Sequence, residues 1–165
     1  VKMVLDIYTN NLLNDKMQQA INDGVSSRVH KAVSMVELME IYHHSDVALH
    51  VEAFDVTNRH IVRMSFSTKI IDCMDSGCAV MANFTTRSGV RTFEAAAYLR
   101  RNGCAICIND LSEVAHVLRN ILDNPLLLID YQHKAFEVGR KYHLQKNITR
   151  DLIQDFESIE KIKKL

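Results

Sequence analysis

An α/β domain, with a parallel sheet packed between helices, is the fold class that the sequence predicts. Short apolar runs rich in β-branched residues alternate with longer segments of helical period, the order that parallel β-α units require. Composition agrees. The chain has 165 residues, 47% apolar and 24% charged, with a single proline, which suits one globular core without linkers, repeats or low-complexity stretches.

The elements follow in order. Residues 3–8 form a first apolar strand, and residues 14–22 carry helical spacing. A second strand is expected at 28–33, a helix at 35–44 and a third strand at 47–51. A polar excursion over 54–64, with Arg59, His60 and Arg63, reads as a lid or a simple loop. A helix over 67–76 is capped by Ser65 or Ser67 and stopped by Gly77, and the apolar run from Cys78 to Ala82 suits a strand (79–82) covered on both faces. A helix at 91–101 leads to a fifth strand at 104–108, then to a helix at 111–122. Pro125 stands where a helix begins and opens one that runs to about Tyr142. A last helix over 148–163 carries an apolar face of Leu152, Ile153, Phe156 and Ile159.

Charge and hydropathy exclude several functions. Lys plus Arg and Asp plus Glu each number 20, so no basic stripe invites nucleic acid. No apolar run is long enough to span a bilayer, and the start lacks the pattern of a signal peptide. The default location is cytoplasmic.

Cys104-Ala105-Ile106-Cys107 has the spacing of a redox or zinc pair. On a buried strand, however, residues three apart point to opposite faces and cannot share a metal. Cys73 and Cys78 have no histidine at ligand spacing, so all four cysteines read as small buried hydrophobes and no metal is expected.

Chemistry gathers at the helix start. The first free N–H groups of a helix and the positive end of its dipole attract an anion such as a diphosphate, and Ser67, Thr68 and Lys69 stand there. Asp72 shares a helix face with Thr68 one turn on. An ordinary capped helix with a Lys69/Asp72 surface pair is the competing reading. In open parallel sheets, ligands lie beyond the carboxyl ends of the strands. There the sequence offers Tyr8, Thr9 and Asn10, then His50 and Glu52, then Asn83, Thr85 and Thr86. His50 and Glu52 are two apart on an extended segment and face one side, as an acid/base or sugar-hydroxyl pair would; an edge histidine beside a solvated strand end is the alternative.

The order of Val36-Glu37-Leu38 to Tyr42, Ser45-Asp46-Val47-Ala48-Leu49-His50-Val51-Glu52, Ser65-Phe66-Ser67-Thr68-Lys69-Ile70 and Gly77-Cys78-Ala79-Val80 carries a family resemblance. It continues through Tyr98-Leu99, Asn102-Gly103-Cys104, Asp110-Leu111 and Asn124-Pro125 to the two long terminal helices. Together these segments resemble the C-terminal, donor-binding domain of GT-B glycosyltransferases of the group 1, GT4-like class. The resemblance implies a Rossmann-like fold over residues 1–165 and sugar transfer from a nucleotide-sugar donor to a glycan or lipid-linked acceptor, in bacterial polysaccharide or glycoconjugate assembly. It places Ser67, Thr68 and Lys69 on the phosphates, Asp72 on ribose or sugar hydroxyls, and His50 in the donor site. Tyr8, Thr9 and the backbone near Val36 flank the base, with no metal or cofactor beyond the donor.

Many members of that class carry two glutamates separated by seven residues. Here the second position is Asp72 and the place eight before it is Met64, so Glu52 and Asp72 become the catalytic carboxylates to consider. The resemblance also implies an N-terminal acceptor domain elsewhere. This chain is then a piece of a longer enzyme, inactive alone, whose complete form associates peripherally with the inner face of the membrane. Three other classes compete with this reading. A phosphoacceptor domain needs an acidic cluster, an acceptor aspartate and a lysine where Asn10, Glu52 and Asn109 stand. A non-catalytic α/β interaction module would use the terminal helices, and a sugar-nucleotide epimerase would share the architecture.

Overall fold

The computed structural model describes residues 3–11, 13–16, 18–19, 26–51, 66–83 and 94–162. The chain divides into two units, residues 1–38 and 39–165.

In the first unit, β1 (Leu5–Thr9) and β2 (Ser27–Lys31) pair in parallel, with Leu5 opposite Ser27 and Thr9 opposite Lys31. Side chains alternate across a strand, so Asp6, Tyr8, Arg28 and His30 share one face. There the Asp6 carboxylate accepts from Arg28 Nε and Nη2, both at 2.7 Å, and lies 2.8 Å from His30 Nε2. Tyr8 stacks on His30 with ring centroids 4.6 Å apart. Residues 15–16 and 18–19 are helical, within the helix expected at 14–22. Ser34 then starts α1 (Met35–His43) with a capping box: its backbone N–H donates to Glu37 Oε2 at 2.8 Å, and the Glu37 N–H donates back to Ser34 Oγ at 3.3 Å.

The second unit receives the end of α1 and continues with β3 (Val47–His50), α2 (Thr68–Asp75), β4 (Ala79–Asn83), α3 (Glu94–Asn102) and β5 (Ala105–Ile108). A 3₁₀ turn (Leu111–Glu113) leads into α4 (Val114–Asp123), α5 (Pro125–Tyr142) and α6 (Gln145–Ile162). The strands lie in the order β3-β4-β5, all parallel, with His50 opposite Ala82 and Asn83 opposite Ile108.

Two apolar cores form, one on each face of this sheet. Val80 and Ala82 of β4 join Ile70, Cys73 and Met74 of α2, Ala96 and Leu99 of α3 and Ala135 of α5. The alternate residues Ala79 and Met81 join Ile106, Ile108 and Ile121, packed by Val117, Leu118, Leu127 and Tyr131. Helix α5 supplies residues to both cores, from Leu127 at its start to Ala135 and Val138 further on. β4 is therefore a strand buried on both faces, as its apolar run requires.

The turns from α2 into β4 and from α3 into β5 use the same device. Gly77 has φ +74° and Gly103 φ +60°, the left-handed conformation that closes a helix. At the first turn Cys78 N–H donates to Cys73 carbonyl at 3.0 Å and Gly77 N–H to Met74 carbonyl at 3.1 Å; at the second Cys104 N–H donates to Leu99 carbonyl at 3.2 Å and Gly103 N–H to Arg100 carbonyl at 3.1 Å. Each glycine hands the chain to a fully buried cysteine. Gly139 serves another need: a Cβ there would lie 3.2 Å from Met74 Cβ and 3.2 Å from Asp75 Oδ1, so its bare backbone lets α5 pack closely on α2.

Element ends differ from the sequence expectation where polar side chains intervene. The segment expected as helix from 111 opens as a 3₁₀ turn because Asp110 Oδ1 accepts the Ser112 N–H at 2.8 Å. Helix α6 starts at Gln145 rather than 148, and Asn147 Nδ2 caps the end of α5 by donating to the Arg140 carbonyl at 2.9 Å and the Lys141 carbonyl at 3.1 Å. Among the described residues no helix is long and apolar enough to cross a membrane.

Cys104 and Cys107 correct one expectation. They do not face opposite sides: Cys104 lies in the turn before β5, where strand alternation does not yet apply, and both thiols pack against the same core. Neither is bonded to another cysteine. Burial pushes the Cys104 thiol up to about 11 and the Cys78 thiol up to about 12, which leaves both protonated and poorly nucleophilic. Among the described residues no three His, Cys, Asp or Glu side chains cluster at metal-binding spacing.

Candidate functional site

Helix α2 is joined to β4 by the tight Gly77 turn, so it runs antiparallel to the strand and its first residues return to the strand's carboxyl end. Eight helical residues rise about 12 Å, most of the roughly 16 Å that a five-residue strand spans. Ser67, Thr68 and Lys69 thus stand at the sheet edge where β3 ends in His50 and β4 in Asn83. In a parallel sheet this is the edge at which ligands bind.

Ser67 occupies the N-cap position with φ −69° and ψ 123°, yet its hydroxyl makes no capping bond, unlike the side-chain cap the sequence suggests. Its carbonyl instead takes the Ile70 N–H at 3.1 Å. No acidic residue stands in the first turn of α2. Ser65, the other cap candidate, lies outside the described residues. Among the described residues a capping bond from Ser67 and a first-turn carboxylate are both missing, which is the electrostatic condition for holding an anion. Thr68 and Lys69 are exposed, and the Lys69/Asp72 surface pair of the competing reading does not form.

Asp72 is half-buried one turn further on. Burial, and then the charge of Asp75, raise its carboxyl above the usual carboxylate range. A carboxylate held at such a cost is a mark of functional sites, though ion networks also produce it.

The remaining sequence-derived residues fall in three places. Tyr8 and Thr9 end β1 in the first unit, where Thr9 Oγ1 accepts the Asn11 N–H at 3.0 Å. Val36 stands exposed in the first turn of α1. Glu52, with Thr85, Thr86 and the loop over 54–64, lies outside the described residues. The structure thus gathers His50, Ser67, Thr68, Lys69 and Asp72 on neighbouring elements of one unit.

Sequence reasoning missed a second layer behind the helix start. Phe66, immediately before Ser67, packs edge-on against Tyr98 at 5.2 Å and lies 5.7 Å from the His143 ring. The Tyr98 hydroxyl and His143 Nε2 are hydrogen-bonded at 2.9 Å. Burial lowers the His143 pKa, with Asp75 opposing, so the imidazole is neutral near pH 7 and its Nε2 can accept the phenolic proton. Nothing local in the sequence joins positions 45 residues apart; the only signal is aromatic residues near helix ends.

This arrangement is a Rossmann-like α/β fold with parallel strands flanked by helices and two long C-terminal helices, consistent with the C-terminal half of a GT-B architecture. Among solved structures the chain is similar to WaaG, described as a glycosyltransferase involved in lipopolysaccharide biosynthesis, with a TM-score of 0.59 and 14% sequence identity. The match covers 90% of this chain and 36% of that one, so the chain spans about a third of the length of that protein. No family model and no curated protein matches the sequence.

Proposed function

We propose that this chain is the donor-binding half of a glycosyltransferase, holding a nucleotide sugar at the start of α2 for transfer to a glycan or lipid-linked acceptor. The observation that carries the reading is the start of α2 beside Lys69, with no capping bond from Ser67 and no acidic residue in its first turn, at the carboxyl edge of a parallel sheet. A departing nucleoside diphosphate gains negative charge in the transition state, and a fixed helix terminus with a lysine stabilises that charge without reorganisation. In this scheme Ser67, Thr68 and Lys69 contact the phosphates and Asp72 the ribose or sugar hydroxyls. His50 and Glu52 serve the sugar. The charge is met by the protein itself, and the scheme asks for no metal. The acceptor belongs to another part of a longer protein, and lipid-linked acceptors would bring that protein to a membrane face.

Calorimetric titration of the 165-residue chain with UDP, GDP, ADP and CDP tests this. Saturable binding of one nucleotide, weakened about tenfold or more by Lys69→Ala through loss of a charge-assisted contact, is expected. Equal behaviour of Lys69→Ala and the wild type would overturn it. One observation favours the interaction-module reading instead: Leu152, Ile153, Phe156 and Ile159 of α6 are about half exposed, at 51%, 52%, 61% and 49%, an apolar face suited to a partner. Such a module would be indifferent to Lys69→Ala.

A further inference from the structure

The aromatic group behind α2 has a geometry that bears on the proposed donor site. Phe66 is the last residue before the N-cap, so its ring fixes the direction in which the backbone enters the helix. It is held on two sides, by Tyr98 of α3 and by His143 at the end of α5. Those two are hydrogen-bonded to one another at 2.9 Å, and Tyr98 also meets the ring of Tyr142 edge-on at 6.5 Å. His143 is itself pinned, since its backbone N–H donates to the Gly139 carbonyl at 2.8 Å, and Gly139 is where α5 packs against α2. Three helices are thereby tied at one point. The phenol and the imidazole are half-buried, where a hydrogen bond is stronger and its loss costlier than at the surface.

We infer that Tyr98 and His143 are positioning residues for the donor site: their hydrogen bond clamps Phe66 and sets the angle at which Ser67, Thr68 and Lys69 meet the diphosphate. The inference rests on the nucleotide-sugar reading above and assigns control of that site to residues that do not touch the ligand. Helix-start N–H groups are useful to an anion only when fixed in direction. A ring that can rock in its seat spreads that direction. The clamp therefore acts on affinity more than on global stability.

The test combines nucleotide titration with amide hydrogen exchange on the full 165-residue chain. Tyr98→Phe keeps the ring and removes the hydroxyl. It should weaken binding of whichever of UDP, GDP, ADP or CDP the wild type takes by roughly three- to tenfold, the worth of one neutral hydrogen bond. Exchange of the Ile70, Ile71 and Asp72 amides, the first in α2 with acceptors in its opening turn, should quicken while the amides of β4 keep their protection. His143→Gln, which retains an acceptor for the phenol, should bind within about twofold of wild type, whereas His143→Ala should match Tyr98→Phe, and the two losses should not add. Wild-type affinity in Tyr98→Phe alongside lost affinity in Lys69→Ala would overturn the clamp and leave the nucleotide reading standing. If the wild type takes none of the four nucleotides, the nucleotide reading fails; unchanged exchange at residues 70–72 in Tyr98→Phe would then overturn the clamp too, and faster exchange there would uphold its mechanical part.

Discussion

Replacing Gly77 by alanine isolates one physical cause. The residue has φ +74°, and a Cβ built there meets nothing within 4 Å, so no collision contributes and the effect is the backbone preference alone. An L-residue in the left-handed region costs about 1–2 kcal/mol. Loss of glycine's freedom in the unfolded chain returns about 0.4–1 kcal/mol, which leaves a net destabilisation of about 1 kcal/mol. For a chain of this size that lowers Tm by about 2–4 °C. Urea unfolding followed by far-UV circular dichroism should show a lower midpoint with an unchanged slope. Gly77→Asn should lose about half as much, because asparagine tolerates this conformation. Gly77→Ala as stable as the wild type would refute the reasoning, since it would mean that the turn into β4 is not left-handed.

Three further outcomes follow from the packing and charge. Gly139→Val adds branched methyls where a single Cβ already lies 3.2 Å from Met74 and Asp75, and should cost about 1–3 kcal/mol by overpacking, measured by thermal unfolding. Asp72 has a raised pKa in the folded state. Its contribution to stability is therefore fully present below the ordinary carboxylate range and is lost as pH rises through the raised value. Asp72→Asn should accordingly be more stable than wild type at neutral pH, with the advantage fading on acidification, as urea midpoints across pH would show. Ser34→Ala removes the capping box of α1 and should cost about 1 kcal/mol, whereas Ser34→Gly should cost only a few tenths; hydrogen exchange at the start of α1 reads the difference.

Much of the fold was legible because its signals are local. The β-branched runs at 47–50, 79–83 and 105–108 became parallel strands, Pro125 opened α5 where expected, and Gly77 stopped α2. Boundaries moved where a side chain several residues away took a backbone group, as Asp110 and Asn147 do. The pattern Ser34 to Glu37 was a readable capping signal that the strand-and-helix alternation alone did not use. The cysteine geometry departs from period-2 alternation because Cys104 lies one residue before β5, in the Gly103 turn. Of the candidate site, Ser67 to Asp72 was legible as a helix start. What could not be read was the state of that start: whether Ser67 caps it, whether Lys69 pairs with Asp72, and that Phe66 is held by Tyr98 and His143. These depend on chain segments brought together by tertiary packing, which leave no periodic trace.

The measurement that tests the central claim most directly is an NMR titration of the chain with the four nucleoside diphosphates, read residue by residue. The account predicts saturable shifts of the Ser67, Thr68, Lys69 and Ile70 amides for one nucleotide, all abolished in Lys69→Ala. Shifts confined to α6, or a response at the start of α2 that persists in Lys69→Ala, would contradict it.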